Sequence, residues 1–136
     1  MPTIKCYSET QPVKPFSFYV LCKGYNSGKP LVNACPNCFL ITCKSEVEKD
    51  FYFTLSYGLW KSKSFHHYLT GSVIVFIRID DFKSLVSLHG TRLEEYSTGF
   101  IKSVSLVKGI EQREDQIRAQ LKLLQELKIT LIRRHL

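Results

Sequence analysis

The sequence predicts an α+β protein in which a small mixed sheet packs on a central aromatic helix and a long, coiled-coil-like helix ends the chain. Three patterns indicate this class. Short aromatic and β-branched runs separated by turn residues fill positions 16–43, a capped apolar helix follows at 45–62, and a heptad stripe runs along the C-terminal part. We expect residues 1–100 to form the α+β domain and residues 101–136 to form a helix for dimerisation or partner docking.

The predicted strands lie in the first third of the chain. Residues 1–14 mix prolines and polar residues with few apolar positions, which predicts a loose arm or a short edge strand. Phe16–Cys22 is aromatic and β-branched, and the turn residues Tyr25–Pro30 follow it, so we expect a strand that enters a hairpin. Leu31–Val32 and Asn37–Cys43 supply the next strands.

The central helix is predicted to begin with a capping box. The Ser45 side chain can accept the backbone N–H of Glu48, while the Glu48 carboxylate reaches back to Ser45. Two apolar stripes follow, so this helix is buried on most sides or presents a face to a partner. The stripes are Val47, Phe51, Leu55 and Leu59, and then Phe53, Tyr57 and Trp60.

A strand and a short helix are predicted after the central helix. Ser72–Ile79 begins as a continuous apolar run and later alternates, which is typical of a half-buried strand. Asp80 is placed to cap a helix over Asp81–Leu85. Phe82 and Leu85 are expected to point inward.

The remaining residues are predicted to form a connection and one long helix. Residues 86–100 contain two glycines and can hold a helical turn over Arg92–Tyr96, and the long helix starts near Val104. Its heptad stripe predicts a dimer or partner interface of Ile110, Ile117, Leu121, Leu124, Leu127 and Leu131. Because the other seam positions are the polar residues Arg113, Gln120 and Arg134, packing of the helix on its own domain competes with pairing against a second helix.

Composition limits the class of protein and its partners. The chain has 136 residues and no apolar run long enough to cross a bilayer, and its first residues lack the features of a signal peptide, so we expect a soluble, cytoplasmic protein. Its net charge of +7 favours an acidic partner, of which nucleic acid is the commonest. A solvated surface accounts for this charge about as well.

The five cysteines all lie in the first third of the chain. Cys35 and Cys38 have the C-x-x-C spacing with which two thiolates grip one zinc ion, but no second pair follows at matching spacing. We therefore interpret the cysteines as reduced thiols and expect neither a metal nor another cofactor.

No motif in the sequence predicts catalysis. The adjacent histidines His66 and His67 lack an acidic residue at ligand spacing, and Asp80–Asp81 is explained by a helix cap and first-turn acid. The sequence also lacks a Walker loop, a dinucleotide fingerprint and a nucleophile elbow. We do not expect an enzyme.

Two groups of cationic and aromatic side chains are candidates for contacts with nucleic acid. One surrounds the end of the central helix and the other the predicted hairpin turn, and each supplies cations for phosphates and rings for base stacking. A solvated helix end or turn is the competing interpretation of each group. The predicted DNA-binding residues are Lys23, Tyr25, Lys29, Lys61, Lys63, His66, His67 and Arg78.

From about Phe39 onward the chain resembles the second half of a target-recognition domain of type I restriction specificity subunits. The resemblance rests on the strand Cys38–Cys43, the helix Ser45–Ser62, the segment Gly71–Ile79 and the Asp80–Leu85 helix. A Glu-Gln helix start at Glu111–Gln112 and a Leu-Ile-Arg-Arg end at 131–134 match the conserved helix of that family. The chain also looks like a small uncharacterised bacterial family.

The first resemblance implies a DNA-reading globular part and a helix that spaces two such parts or docks a methyltransferase subunit. The leading hypothesis is accordingly a non-catalytic, specificity-like module that binds duplex DNA and forms a homodimer or docks a restriction or methyltransferase subunit through its helix. The alternative is a protein-interaction or anti-restriction factor that docks a partner through the same helix without binding DNA.

Overall fold

A four-stranded sheet organises the N-terminal part of the computed structural model, which describes residues 1–93 and 97–136. Its strands are β1 (Thr3–Cys6), β2 (Ser17–Leu21), β3 (Pro30–Leu31) and β4 (Cys38–Thr42), in the spatial order β1-β4-β2-β3. Each neighbouring pair is antiparallel, so the α+β class is confirmed and the sheet is antiparallel rather than mixed. The links between these strands are too short for the crossover that parallel pairing requires.

Three helices accompany the sheet in the described residues: α1 (Glu46–Lys61), α2 (Ile79–Leu93) and α3 (Ser97–Arg133). The chain divides into two compact units, Met1–Ser97 and Thr98–Leu136. The sheet, α1 and α2 belong to the first unit, and nearly all of α3 forms the second.

The two faces of the sheet differ in what covers them. Register places Ile4, Ile41 and Phe18 side by side on one face, and all three are buried. Aromatic contacts join this face to both helices, at 5.3 Å between the rings of Phe18 and Phe53 on α1 and 5.6 Å between those of Phe39 and Phe82 on α2. On the opposite face a small cluster is covered by neighbouring loops; it contains Tyr19, Cys38 and Leu40, with Tyr7, Leu31 and Cys35 packed against it.

The start of α1 follows the predicted cap with one change of partner. Ser45 Oγ accepts a hydrogen bond from Glu48 N at 3.1 Å, but the Glu48 carboxylate accepts from Lys44 N at 2.6 Å instead of reaching Ser45. Val47 belongs to the first predicted apolar stripe, but it is 80% exposed in the first turn. The buried residues Tyr52, Leu55, Ser56 and Leu59 instead follow the i, i+3, i+4, i+7 spacing of one helix face.

The strand predicted over Ser72–Ile79 is not formed. The chain makes a loop closed by a bridge between Thr70 and Phe76, with both N–H···O bonds of the pair at 2.8–2.9 Å. Gly71 turns the chain at φ +115°, and Val73 at the tip of the loop is 93% exposed. A continuous apolar run predicts burial only when another element covers it, and nothing in the first unit covers Val73.

Helix α2 is much longer than the predicted Asp81–Leu85. It begins at Ile79, so Asp80 lies in the first turn and is not the residue before the helix. Phe82 and Leu85 are buried, which confirms that they point inward. The turn predicted over Arg92–Tyr96 falls partly on residues 94–96, which lie outside the described residues.

The second unit consists mainly of α3, a single helix that begins at Ser97, earlier than the predicted Val104. Its 37 residues correspond to about 55 Å at 1.5 Å per residue. Neither α3 nor any other helix of the described residues has a stretch apolar and long enough to span a membrane.

Candidate functional site

The predicted hairpin turn is held rigidly in the first unit. Gly24 and Gly28 take positive φ values of +87° and +96°, which let the chain reverse twice within a few residues. The fully buried Ser27 donates its hydroxyl to Gly24 O at 2.6 Å, and Gly28 N donates to Leu21 O at 2.7 Å. The turn therefore presents Tyr25, which is 73% exposed, from a fixed backbone.

The end of α1 is closed by a Schellman arrangement. Ser64 N donates to Leu59 O at 3.0 Å and Lys63 N donates to Trp60 O at 3.1 Å, which are the two bonds that define this cap. The residue that donates the second bond is usually glycine because its backbone is left-handed, yet here it is Lys63 with φ +59°. The cap thus places the exposed Lys63 at the helix end.

Contact between the turn and the helix end is made through Phe65. This ring is fully buried and stacks on Phe82 with centroids 5.4 Å apart. Gly28 lies directly on the Phe65 ring, so close that an added Cβ would overlap it. The sequence places these segments far apart, and this packing brings them together.

Two lysines from the two segments flank one indole ring. Lys29 Nζ lies 5.2 Å from the centroid of the Trp60 ring, and Lys61 Nζ lies 4.5 Å from it. These are cation–π distances. The two predicted groups of DNA-binding residues are therefore adjacent; we call their combined residues the basic surface, consisting of Lys23, Tyr25, Lys29, Trp60, Lys61, Lys63, His66 and His67.

The two histidines complete this surface, and Arg78 borders it. His66 and His67 are exposed on a single 3-10 turn, His66–Tyr68, whose first N–H donates to Lys63 O. The exposed Arg78 follows Ile77, whose N–H donates to Cys22 O at 3.0 Å, so Arg78 neighbours the start of the turn.

Sequence reasoning missed two features of the region. Trp60 is assigned to an apolar stripe by its spacing, but its ring is the meeting point of the two lysines. The loop 70–77 also adjoins the turn, because Gly24 N donates to Val75 O at 2.7 Å and Lys23 pairs with Phe76. The glycines at positions 24, 28 and 71 were the sequence signal for close backbone approach.

The segments that build this region contain no carboxylate. Residues 10–45 and 51–79 include no Asp or Glu, although together they hold seven lysines and arginines. Within these two ranges the lysine and arginine side chains are thus the only fixed charges, and a group of cations produces a positive potential that attracts polyanions.

The C-x-x-C pair lies at the start of β4, beside the end of β2 that enters the turn, where Cys38 pairs with Leu21 and Cys22 N donates to Asn37 O at 3.0 Å. Cys38 is buried and donates its thiol to Cys35 O at 3.0 Å, and burial raises the pKa of Cys38 to about 11. In the part of the chain that the structure describes, no three His, Cys, Asp or Glu residues are grouped to hold a metal ion.

The predicted interface residues lie on the second unit with their side chains in solvent. Ile110, Ile117, Leu121, Leu124, Leu127 and Leu131 are each between 47% and 59% exposed. Such a row of aliphatic side chains on one helix is an unusual surface for an unpartnered protein.

Comparison with known proteins places the chain in a family without assigning it an activity. No curated protein and no solved structure matches it. The comparisons lend no support to the resemblance to type I restriction specificity subunits, and agree with the resemblance to an uncharacterised family. The sequence profile described as "Family of unknown function (DUF6943)" matches residues 4–134, almost the whole length, and the chain therefore belongs to DUF6943.

Proposed function

We propose that this protein is a non-catalytic DNA-binding module that contacts the duplex through the basic surface. The observation that carries the proposal is the meeting of the turn at Lys29 and the helix end at Lys61 over Trp60. Either segment alone is explained by ordinary solvation, but a rigid surface assembled from two cationic segments is what phosphate contact requires.

Lys23 and Lys63 of this surface are exposed to solvent. A cation–π contact at an exposed site is worth about 0.5–1 kcal/mol, so the contact with Trp60 does not prevent Lys29 from making a stronger charge-assisted bond to a phosphate. Release of counterions from DNA then supplies most of the binding free energy. The exposed ring of Tyr25 beside these cations provides an additional stacking or packing surface.

Binding, rather than chemistry on DNA, is the activity that these residue types support. The surface offers ammonium groups, imidazoles and aromatic rings, and its segments have no carboxylate to position a general base or a divalent cation.

Salt dependence of binding to a short mixed-sequence duplex tests the proposal. Five phosphate contacts, one for each lysine and arginine of the predicted set, give about a 500-fold loss of affinity between ~50 and ~200 mM salt. Replacing Lys29, Lys61 and Lys63 by Gln removes three contacts, and the remaining salt effect should then be only about tenfold. Fluorescence anisotropy measures both.

A matched variant separates a local surface from net charge. Lys14→Gln, Lys44→Gln and Lys5→Gln also remove three charges, and Lys14 and Lys44 lie beside the ends of the strands that are remote from the turn. This control should bind DNA nearly as well as the unmodified protein. Equal losses in the two triple variants, or binding that ignores salt, would contradict the proposal.

A protein-interaction factor is the second candidate, and the exposed aliphatic row on α3 favours it. In this case the helix docks a partner such as a restriction or methyltransferase subunit, or acts as an anti-restriction factor, and DNA is not bound. Absence of DNA binding at both salt concentrations, together with salt-insensitive association with such a subunit, would select this alternative.

A further inference from the structure

The aliphatic row of α3 has a repeat that can be assigned to a coiled-coil seam. With Ile110 at position a, the a positions are Ile110, Ile117, Leu124 and Leu131, and the d positions are Arg113, Gln120, Leu127 and Arg134. The helix runs unbroken to Arg133, and the aliphatic residues of the seam are exposed. A seam of this length is enough for a stable two-stranded pair, so the occupant and its direction are the open questions.

A parallel pairing of two copies is disfavoured by the d positions. In a parallel homodimer each seam residue faces itself, so Arg113 would face Arg113 and Arg134 would face Arg134. Like charges held together in this way oppose assembly. The flanking pairs are Gln116 with Leu121 and Leu123 with Lys128, and neither offers a charge attraction.

In an antiparallel pairing the polar d residues no longer face each other. In an antiparallel coil an a residue packs in one layer with a d residue of the other helix. In this register the residue numbers of the two partners add up to the same value in every layer. Ile117 faces Leu127, Leu124 faces Gln120, and Arg113 and Arg134 face Leu131 and Ile110 in the outer layers. Each arginine then has an aliphatic neighbour for its stem and keeps its guanidinium in water at the end of the coil.

Residues beside the seam agree with this register. Leu121 meets Leu121 of the second copy and Leu123 meets Leu123 at the middle, which extends the apolar layer. Glu114 meets Lys128, and symmetry repeats this opposite-charge pair at the other end. Among the described residues, Glu114 pairs with Arg118 of its own helix at 3.4 Å.

Charge along the helix favours the same direction. Residues 110–121 carry three acidic and two basic side chains, whereas residues 122–134 carry four basic and one acidic. Antiparallel pairing sets the acidic half of one helix against the basic half of the other. It also orients the two helix dipoles in opposite directions, which is favourable. Parallel pairing sets the two basic halves against each other.

We propose that the exposed face of α3 binds a second copy of this chain as an antiparallel coiled coil, with Glu114 of each copy paired to Lys128 of the other. This inference does not depend on the proposed DNA binding.

Charge reversal in the full-length chain tests both the partner and the direction. Glu114→Lys and Lys128→Glu each replace two attractive pairs by two repulsive ones, and the dimer dissociation constant should rise about tenfold or more at low salt. Asp115→Lys is the matched control, since it makes the same charge change and loses the same neighbour, Arg118, from a position outside the seam. Analytical ultracentrifugation measures the three constants.

Mixing the two single variants, Glu114→Lys and Lys128→Glu, distinguishes direction. In the antiparallel register their heterodimer has two opposite-charge pairs, one between the two introduced side chains and one between the original Lys128 and Glu114. Native mass spectrometry should therefore show the heterodimer in excess over either homodimer. The double variant, with Glu114→Lys and Lys128→Glu in the same chain, should recover the dimer dissociation constant of the unmodified chain. A parallel coil places positions 114 and 128 far apart and gives no such recovery.

A crosslink gives a second, independent measurement. Leu123→Cys places two thiols opposite each other at the centre of the antiparallel coil, whereas Gln116→Cys, at the equivalent heptad position, does not. Oxidative crosslinking mapped by peptide mass spectrometry should join residue 123 to residue 123 only. A monomeric mass for the unmodified chain, equal effects of Glu114→Lys and Asp115→Lys, or a 116–116 crosslink as strong as the 123–123 one would each overturn the proposal.

Discussion

At the residue scale, Lys63 holds a backbone conformation that its side chain disfavours. A left-handed backbone costs an L-residue roughly 1–2 kcal/mol, and glycine avoids this cost while adding flexibility to the unfolded chain. We expect Lys63→Gly to raise the free energy of unfolding by about 0.5–1 kcal/mol. Urea denaturation measures the change.

The control for this prediction is Lys63→Ala, which removes the charge but keeps the disfavoured backbone. Both variants should lose DNA affinity equally, while only glycine gains stability. If alanine stabilises as much as glycine, strain at Lys63 is not the cause. A charged residue kept where glycine is more stable is consistent with a role for this side chain in binding.

Gly28 is the residue on which the assembly of the basic surface depends. In Gly28→Ala the alanine must adopt the positive φ of this position, and its methyl group overlaps the buried Phe65 ring. We expect Gly28→Ala to lower the free energy of unfolding by about 2–5 kcal/mol. Gly24→Ala shares the positive φ but meets open space, so its loss should be only about 1–2 kcal/mol. Similar losses in thermal denaturation of the two variants would argue against the close packing on Phe65.

The buried thiols predict a decrease of stability in alkaline solution. Burial raises the pKa of Cys38 and of Cys43 from an ordinary 9.0 to about 11. Between these values the unfolded chain releases protons that the folded chain keeps, so the free energy of unfolding falls as the pH rises from 9.0 to about 11 and is unaffected by these groups below that window.

Urea unfolding at neutral pH and at about pH 10 measures this decrease. Cys43→Ala removes one of the two titrating thiols and should show a smaller decrease than the unmodified chain. Iodoacetamide labelling at neutral pH provides a parallel readout, in which the exposed Cys6 reacts well before the buried Cys38 and Cys43. Equal labelling of all three would refute the burial of these thiols.

At the scale of elements, α2 shows that a glycine in the sequence need not end a helix. Gly90 lies within the helix, and an added Cβ would sit in ordinary contact at 3.5 Å from Tyr52 on α1. Glycine in a helix costs up to about 1 kcal/mol relative to alanine. We expect Gly90→Ala to raise the free energy of unfolding by about 0.5–1 kcal/mol, as measured by thermal denaturation. A loss of stability would mean that α1 and α2 approach more closely than this contact allows.

Elements specified by local chemistry were predicted closely. The strand over Phe16–Cys22, the strand over Asn37–Cys43 and the cap at Ser45 depend on alternation, β-branching and a side-chain acceptor, all of which are local. The strand predicted over Ser72–Ile79 failed because the first part of its apolar run, Val73 and Ile74, is exposed. The helix start at Ile79 was missed because the residue before it, Arg78, is not of a capping type, whereas Asp80 is.

At the scale of the whole molecule, the two proposals together predict bivalent binding. An antiparallel dimer carries two basic surfaces, so a duplex long enough to reach both is bound more tightly than a short one, typically by 10²–10⁴-fold. We expect Glu114→Lys to remove this advantage without changing affinity for the short duplex. Anisotropy titrations with the two lengths measure it, with Asp115→Lys as the control.

The failures of the two proposals are distinguishable in this experiment. A dimer without DNA affinity would leave the coiled coil intact and contradict the basic surface. Equal affinity of the unmodified chain for both lengths would show that its two surfaces do not act together.

The sequence by itself determined the α+β class, most strands, the central helix and the aliphatic row of the long helix, because these follow from periodicity, propensity and caps within short windows. Tertiary structure alone decided that Lys29 and Lys61 share Trp60, since this depends on Gly28 packing against Phe65, which lies far along the chain beyond segments of unrelated local pattern. Local signals define elements, whereas a surface made from two of them is defined by the core that holds them together.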